Sequence, residues 1–209
     1  MKKHVWYLLI LIVLYISLSV FDQVFIFTEE FIYRSLSNEF SESVIEALIT
    51  SENQFGWIAY VVSPLIIMLK ILFVTFCITT GAILTDSEFT FRYIFRSATY
   101  SEYVFLISQA VFSFNLYFNR DALNIENVGS YFPLSMLSYF GTENVVPWLH
   151  YPLQTLNLFE VAYILCISWL LSKQWKPYFI ESINIVLPSY GIGLLIWMVL
   201  VVFLTLQIS

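Results

Sequence analysis

Apolar residues along this chain gather into long unbroken runs rather than into alternating or one-faced helical patterns. Crossing about 30 Å of hydrocarbon takes roughly 20 helical residues. Five runs approach that length, at 5–27, 57–84, 103–118, 152–171 and 189–208. Pro64 and Lys70 interrupt the second, and Glu160 lies within the fourth. The fifth carries no charge, and the third is short unless it recruits the aromatic residues ahead of it. Lipid offers no partner for backbone polar groups, so these runs are predicted as helices. Barrel strands would alternate apolar and polar residues over about ten positions, and no segment does so. The expected fold is an all-α membrane protein. It is a single domain over 1–209, a bundle of five transmembrane helices with short interfacial or re-entrant helices in the outer loops.

The intervening segments have patterns of their own. Phe40, Val44, Ile45, Leu48 and Ile49 recur on one helical face, which predicts an interfacial helix in the first outer loop. Thr90 is placed to cap a short helix carrying Phe91, Ile94 and Phe95 inward. Arg92 and Arg96 on that helix would anchor it at the inner headgroup level. The stretch 131–150 is too apolar for open solvent and too short to span. Pro133 suits a first helical turn there, and Gly141 suits a helix stop. Trp57, Trp148, His150 and Tyr151 would mark the outer interface, with Trp6, Trp175 and Tyr178 at the inner one.

Composition sharpens this reading. The chain is 59% hydrophobic and only 11% charged, against about 45–50% and 25% for a soluble domain. A soluble enzyme and a disordered tail are therefore poor readings. Formal net charge is −6, which gives nucleic acid no electrostatic footprint. Lys2, Lys3, Arg92, Arg96, Lys173 and Lys176 fall on one side of five spans, against Arg34 and Arg120 on the other. The positive-inside rule then sets the N-terminus in the cytoplasm and the C-terminus periplasmic or outside. The outer loops are acidic, with Asp22, Glu29, Glu42 and Glu46 in the first and Asp121, Glu126 and Glu143 in the second. Lys2-Lys3 before a Leu/Ile run also resembles a secretory signal, but the run continues to Phe27, longer than a usual signal core, and an uncleaved anchor is expected. Cys77 and Cys166 lie in apolar runs and make a poor disulfide or zinc pair. Two histidines, His4 and His150, exclude a histidine-rich metal cage, and no cofactor is expected.

Candidate chemistry centres on Lys70 and Glu160, the charges deep in the runs. Their positions after Pro64 and Pro152 place them within roughly 3 Å of one depth. An isolated charge at mid-membrane costs about 2.5–3.5 kcal/mol on insertion scales, so the two are expected to pair or to share a polar pocket. That pair is either a packing bridge or a proton, ion or headgroup site. Thr28-Glu-Glu-Phe-Ile-Tyr-Arg34 resembles the EExxxR motif of intramembrane CAAX-protease-like enzymes, where paired carboxylates activate water. The two downstream histidines of that family have only His150 here, and Val146 stands where its FxxxH motif needs Phe. An acidic loop with a local ion pair is the simpler reading. Gly191 and Gly193 permit close helix contact, and no nucleotide or hydrolase motif occurs.

The five-span arrangement, the stretch 89–103 leading into the third span, and Leu156-Asn-Leu-Phe-Glu160 opening the fourth resemble the Yip1 superfamily, in a short bacterial form. The resemblance covers roughly 57–208. It implies a membrane-organising or trafficking-type protein without known catalytic residues. The long cytoplasmic N-terminal region that carries partner motifs in eukaryotic members has no counterpart here, so Rab-type binding is not implied. Abundant Ile, Phe, Tyr, Asn and Lys with little Ala or Gly suggests an AT-rich bacterial genome, Bacteroidota-like, and hence an inner membrane. The expected function is a non-enzymatic scaffold or accessory subunit of a larger membrane assembly. Its partners would be the bilayer and other membrane proteins or further copies of itself. A small transporter or channel subunit built on Lys70 and Glu160 is the alternative.

Overall fold

The structure, a computed structural model, describes residues 2–87, 90–120, 128, 132, 134–175 and 178–208. Asp121, Glu126, Pro133 and Lys176 lie outside the described residues, as do the side chains of Lys2, Lys3, His4 and Trp175. The described elements are helical: α1 (Lys2–Phe25), α2 (Glu29–Leu36), α3 (Glu42–Phe55), α4 (Trp57–Leu84), α5 (Phe91–Ser101), α6 (Tyr103–Asn119), α7 (Met136–Phe140), α8 (His150–Thr155), α9 (Leu158–Trp175) and α10 (Phe179–Ile208). Short 3₁₀ turns at Thr142–Asn144 and Pro147–Leu149 join α7 to α8. Among the described residues, three helices are long and apolar enough to cross a membrane, within Val5–Phe25, Trp57–Leu84 and Phe179–Gln207. The last starts ten residues before the expected 189, so Glu181 lies in its first turn and Pro188 inside it.

Small residues decide which helices touch most closely. A Cβ on Gly81 of α4 would overlap the Ser189 side chain of α10, and one on Gly193 would come within 2.5 Å of Cys77 Sγ. Both cysteines are free thiols. Gly191, half a turn away from Ser189 and Gly193 in direction, meets nothing within 4 Å among the described residues. Thus α4 and α10 lie backbone to backbone along one face, while Gly191 points away from it. The contacts continue from α10 to α9, from α9 to α5 and α6, and from α6 to α1, which returns to α4. Leu11, Ile71, Val74, Ile78, Ile94, Ala98, Ile167, Leu171 and Val186 fill the shared core.

Helix α5 packs between α4 and α9. Ile94 and Ala98 are fully buried, and Ser97, Thr99 and Ser101 are buried with them. Tyr93 Oη donates to Leu170 O of α9 at 2.7 Å. Phe91, expected inward, is instead exposed at the rim and packs on Phe76 of α4. The junction with α6 is barely a break. Glu102 keeps helical dihedrals (φ −61°, ψ −21°), its N–H bonds Ala98 O at 3.0 Å, and its carbonyl accepts from Leu106 N at 3.2 Å. Alone, α6 has 17 residues, about 25 Å; joined to α5 the helical run reaches about 43 Å.

The fourth apolar run is divided the other way. It begins as α8, stops at Leu156 and Asn157, and restarts as α9. The interruption is held by an antiparallel bridge. Met136 N donates to Leu156 O at 3.0 Å, and Leu158 N donates to Leu134 O at 3.1 Å. Leu134 adopts φ +61°, which turns the chain into α7. Ser135 caps α7 by accepting from Ser138 N at 3.1 Å, and Gly141 at φ +79° ends it. Asp22, expected in the first outer loop, lies inside α1 and is buried, where Gln109 Nε2 of α6 donates to it at 3.1 Å. Of the expected apolar stripe in α3, Ile45 and Ile49 pack on Ile32, Tyr33 and Leu36 of α2. Phe40, Val44 and Leu48 stay exposed.

Replacing Gly81 with Leu forces α4 away from α10 and is expected to destabilise the protein by about 1–3 kcal/mol. Gly191→Ala meets no neighbour and is expected to be neutral or slightly stabilising. Thermal unfolding of both variants in one detergent checks the contrast.

Candidate functional site

The polar centre of the bundle begins at Lys70, midway along α4. Its ammonium bonds Glu102 Oε1 at 2.8 Å. It also lies 3.3 Å from the centroid of the Phe105 ring and 5.7 Å from that of Tyr163. The Glu102 carboxylate is 2% exposed, so the pair is buried on the acid's side. Among the described residues, neither Glu102 Oε2 nor the Tyr163 hydroxyl, both buried, has a hydrogen-bond partner. Tyr163 packs on Tyr190 of α10 with centroids 5.5 Å apart, and the Tyr190 hydroxyl donates to Glu160 Oε1.

Lys70 and Glu160 do not bond each other directly, and each has its own partner within one cluster. The direct anion for Lys70 is Glu102, and Glu160 is held by Tyr190, with the two tyrosine rings between the ends of the cluster. Glu102 stands one residue ahead of the apolar run that starts at Tyr103, so the run alone leaves it outside the span. The available signal was the near-continuous helical register from Phe91 onward, which puts Glu102 on the face shared by Ile94, Ala98 and Leu106. Tyr163 and Tyr190 carried no such signal, because tyrosine is common throughout this chain.

Glu160, itself buried, also borders a groove. It belongs to the lining of a cavity of about 1020 Å³ between α7, the α8–α9 break and α10. The walls are largely apolar, from Leu134, Met136, Val161, Ile164, Leu187, Ile192 and Leu195. Pro188 and Gly191 form part of the α10 wall, where no side chain fills the space. Asn157 fixes the first turn of α9, since its Oδ1 accepts from Glu160 N at 2.8 Å and its Nδ2 donates to Gln154 O at 2.9 Å. Glu160 thus separates the polar centre from the groove.

The remaining candidates have local roles. Arg92 and Arg96 are exposed on the outer face of α5, with Arg96 5.4 Å from the Tyr100 ring centroid. His150 Nε2 lies 3.0 Å from Val145 O, and Trp148 is largely exposed. Tyr151 Oη accepts from Trp197 Nε1 at 2.7 Å, which ties α8 to α10. Glu29 and Glu30 are exposed in the first turn of α2, whose cap is Thr28, accepting from Phe31 N at 3.3 Å. Arg34 Nη2 donates to Arg120 O, and its guanidinium lies against Phe31. This is the geometry of a capped loop helix. Among the described residues no cluster of three or more His, Cys, Asp or Glu could hold a metal ion.

No protein-family model, curated protein or solved structure matches this chain.

Removing one partner of a buried ion pair leaves an uncompensated charge and costs about 3–5 kcal/mol. Lys70→Met is expected to destabilise by up to that amount, and Lys70→Met with Glu102→Gln together by much less. Glu160→Gln leaves the Lys70–Glu102 bond in place and is expected to cost less than Lys70→Met alone. Thermal unfolding across this variant set checks the order.

Proposed function

We propose that this protein is a non-enzymatic, multi-pass membrane protein that acts by contact, as a scaffold or accessory subunit of a larger membrane assembly. On this reading α5 with α6 supplies the third crossing and α8 with α9 the fourth, giving five crossings in all. The distribution of Lys and Arg supports an N-terminus in the cytoplasm and a C-terminus outside a bacterial inner membrane. A Yip1-like role in membrane organisation or trafficking fits the same arrangement.

The observation that carries the reading is the exposed apolar face of α3. Val44, Leu48 and Phe55 are each more than 40% exposed, although Ile45 and Ile49 on the same helix are buried against α2. A helix with one face used and an adjacent apolar face open is suited to a second contact. Recovery of the tagged chain in mild detergent is expected to yield a specific membrane-protein partner or a self-associated form. Val44→Glu with Leu48→Glu is expected to lower that recovery several-fold while changing stability by less than about 0.5 kcal/mol. A monodisperse monomer from several gentle extractions overturns the reading.

A second reading, a small transporter or channel subunit, is favoured by the buried, unpartnered Glu102 Oε2 and Tyr163 hydroxyl beside Lys70. Intramembrane ionisable groups commonly mark ion or proton paths. If this reading holds, Tyr163→Phe abolishes proton or ion flux in proteoliposomes without loss of folded protein. Unchanged flux, or no flux in the parent protein, removes it.

A further inference from the structure

We propose that the groove between α7, the α8–α9 break and α10 binds a hydrocarbon-chain amphiphile through a primary amine that donates to Glu160. The inference goes beyond the contact role proposed above and stands on different residues. The groove has the volume and the mainly apolar walls of small-molecule sites, which run about 300–1,000 Å³ with few polar groups. Its polar members are nearly all committed to the protein's own backbone. Ser135 Oγ donates to Phe132 O at 2.8 Å and accepts from Ser138 N, and Ser138 Oγ donates to Ser135 O at 2.8 Å. Both polar atoms of the Asn157 amide are engaged in shaping the α8–α9 break.

Glu160 and the exposed Tyr139 hydroxyl are the exceptions, and Glu160 is the one that carries charge. A carboxylate offers about four acceptor positions, and among the described residues Tyr190 Oη is the group that donates to its side chain. Among the described residues the lining contains this acid and no base. A fatty-acid carboxylate or a bare phosphate would meet like charge there, whereas an ammonium would be drawn to it and could donate hydrogen bonds. A partner's apolar helix would fill the walls but leave the acid facing hydrocarbon, at the cost of an unpaired polar group. The charge pattern therefore selects an amine-bearing amphiphile, whether a bilayer phospholipid with an ethanolamine headgroup or a free single-chain amine.

The test uses the full chain, purified and delipidated, with native mass spectrometry of retained lipid. The probes are phosphatidylethanolamine, phosphatidylcholine and phosphatidylglycerol of identical chains, and oleylamine. An amine probe is expected to be retained about tenfold more than phosphatidylcholine, whose quaternary nitrogen carries no N–H to donate. Retention of phosphatidylethanolamine identifies a bilayer source, and of oleylamine alone a single-chain source. Glu160→Gln is expected to remove the preference. Gly191→Trp, whose Cβ meets nothing within 4 Å, is expected to block retention of every probe with unfolding unchanged. Equal retention of all headgroups overturns the proposal, as does retention unaffected by Gly191→Trp. A photo-crosslinker at residue 191 that captures polypeptide rather than lipid also overturns it. Partner recovery through α3 is read separately, so either proposal can fail alone.

Discussion

An ammonium surrounded by apolar helices must find an anion or it will not stay there, and the Lys70–Glu102 bond meets that demand. The bond fixes more than two side chains. Glu102 stands at the junction of α5 and α6, so pairing it with the middle of α4 draws the end of α5 into the bundle. The hydroxyl-rich face of α5 is then buried, with Thr99 Oγ1 bonding Phe95 O at 2.8 Å within its own helix. Phe105 and Tyr163 close over the ammonium and supply aromatic faces where water would otherwise be needed.

A second constraint shapes the opposite side of the molecule. Gly81 and Gly193 let α4 and α10 approach until Ser189 and Cys77 fill the gap between them. With that face of α10 committed, the face bearing Pro188, Gly191 and Ile192 turns toward α7 and the α8–α9 break. No large side chain projects from Gly191, and the bridge at Ser135 and Asn157 holds α7 at a distance. The groove is thus a consequence of close packing elsewhere. Tyr190 lies between the two regions, with its ring against Tyr163 and its hydroxyl on Glu160.

The sequence was most legible where hydrophobicity alone decides the structure. The long apolar runs in α1, α4 and α10 could be read directly, as could the stop at Gly141 and the oddity of Lys70 and Glu160. It was least legible where a polar residue is buried through tertiary contact. Asp22 and Glu102 read as loop acids because each lies at the margin of an apolar run, and a run's margin says nothing about what packs against it. The burial of α5 was hidden for the same reason, since it is amphipathic and its hydroxyl-bearing face is covered only once α4 and α9 pack against it. The α8–α9 break depends on two hydrogen bonds to residues twenty or more positions upstream, a pairing that no local pattern encodes. A depth comparison between two helices cannot see a third, so it does not reveal Glu102 as the anion for Lys70.

The composition of α5 carries a consequence for biogenesis. Its two arginines and its buried hydroxyls give it little tendency to leave an aqueous channel for lipid on its own. Yet one of its two main packing partners is α9, which emerges from the ribosome some sixty residues later. The nascent chain therefore faces an interval in which α5 has α4 beside it but lacks its second wall. Final placement of this segment must wait for the later helices, which makes assembly of the bundle a concerted event rather than a strictly sequential one.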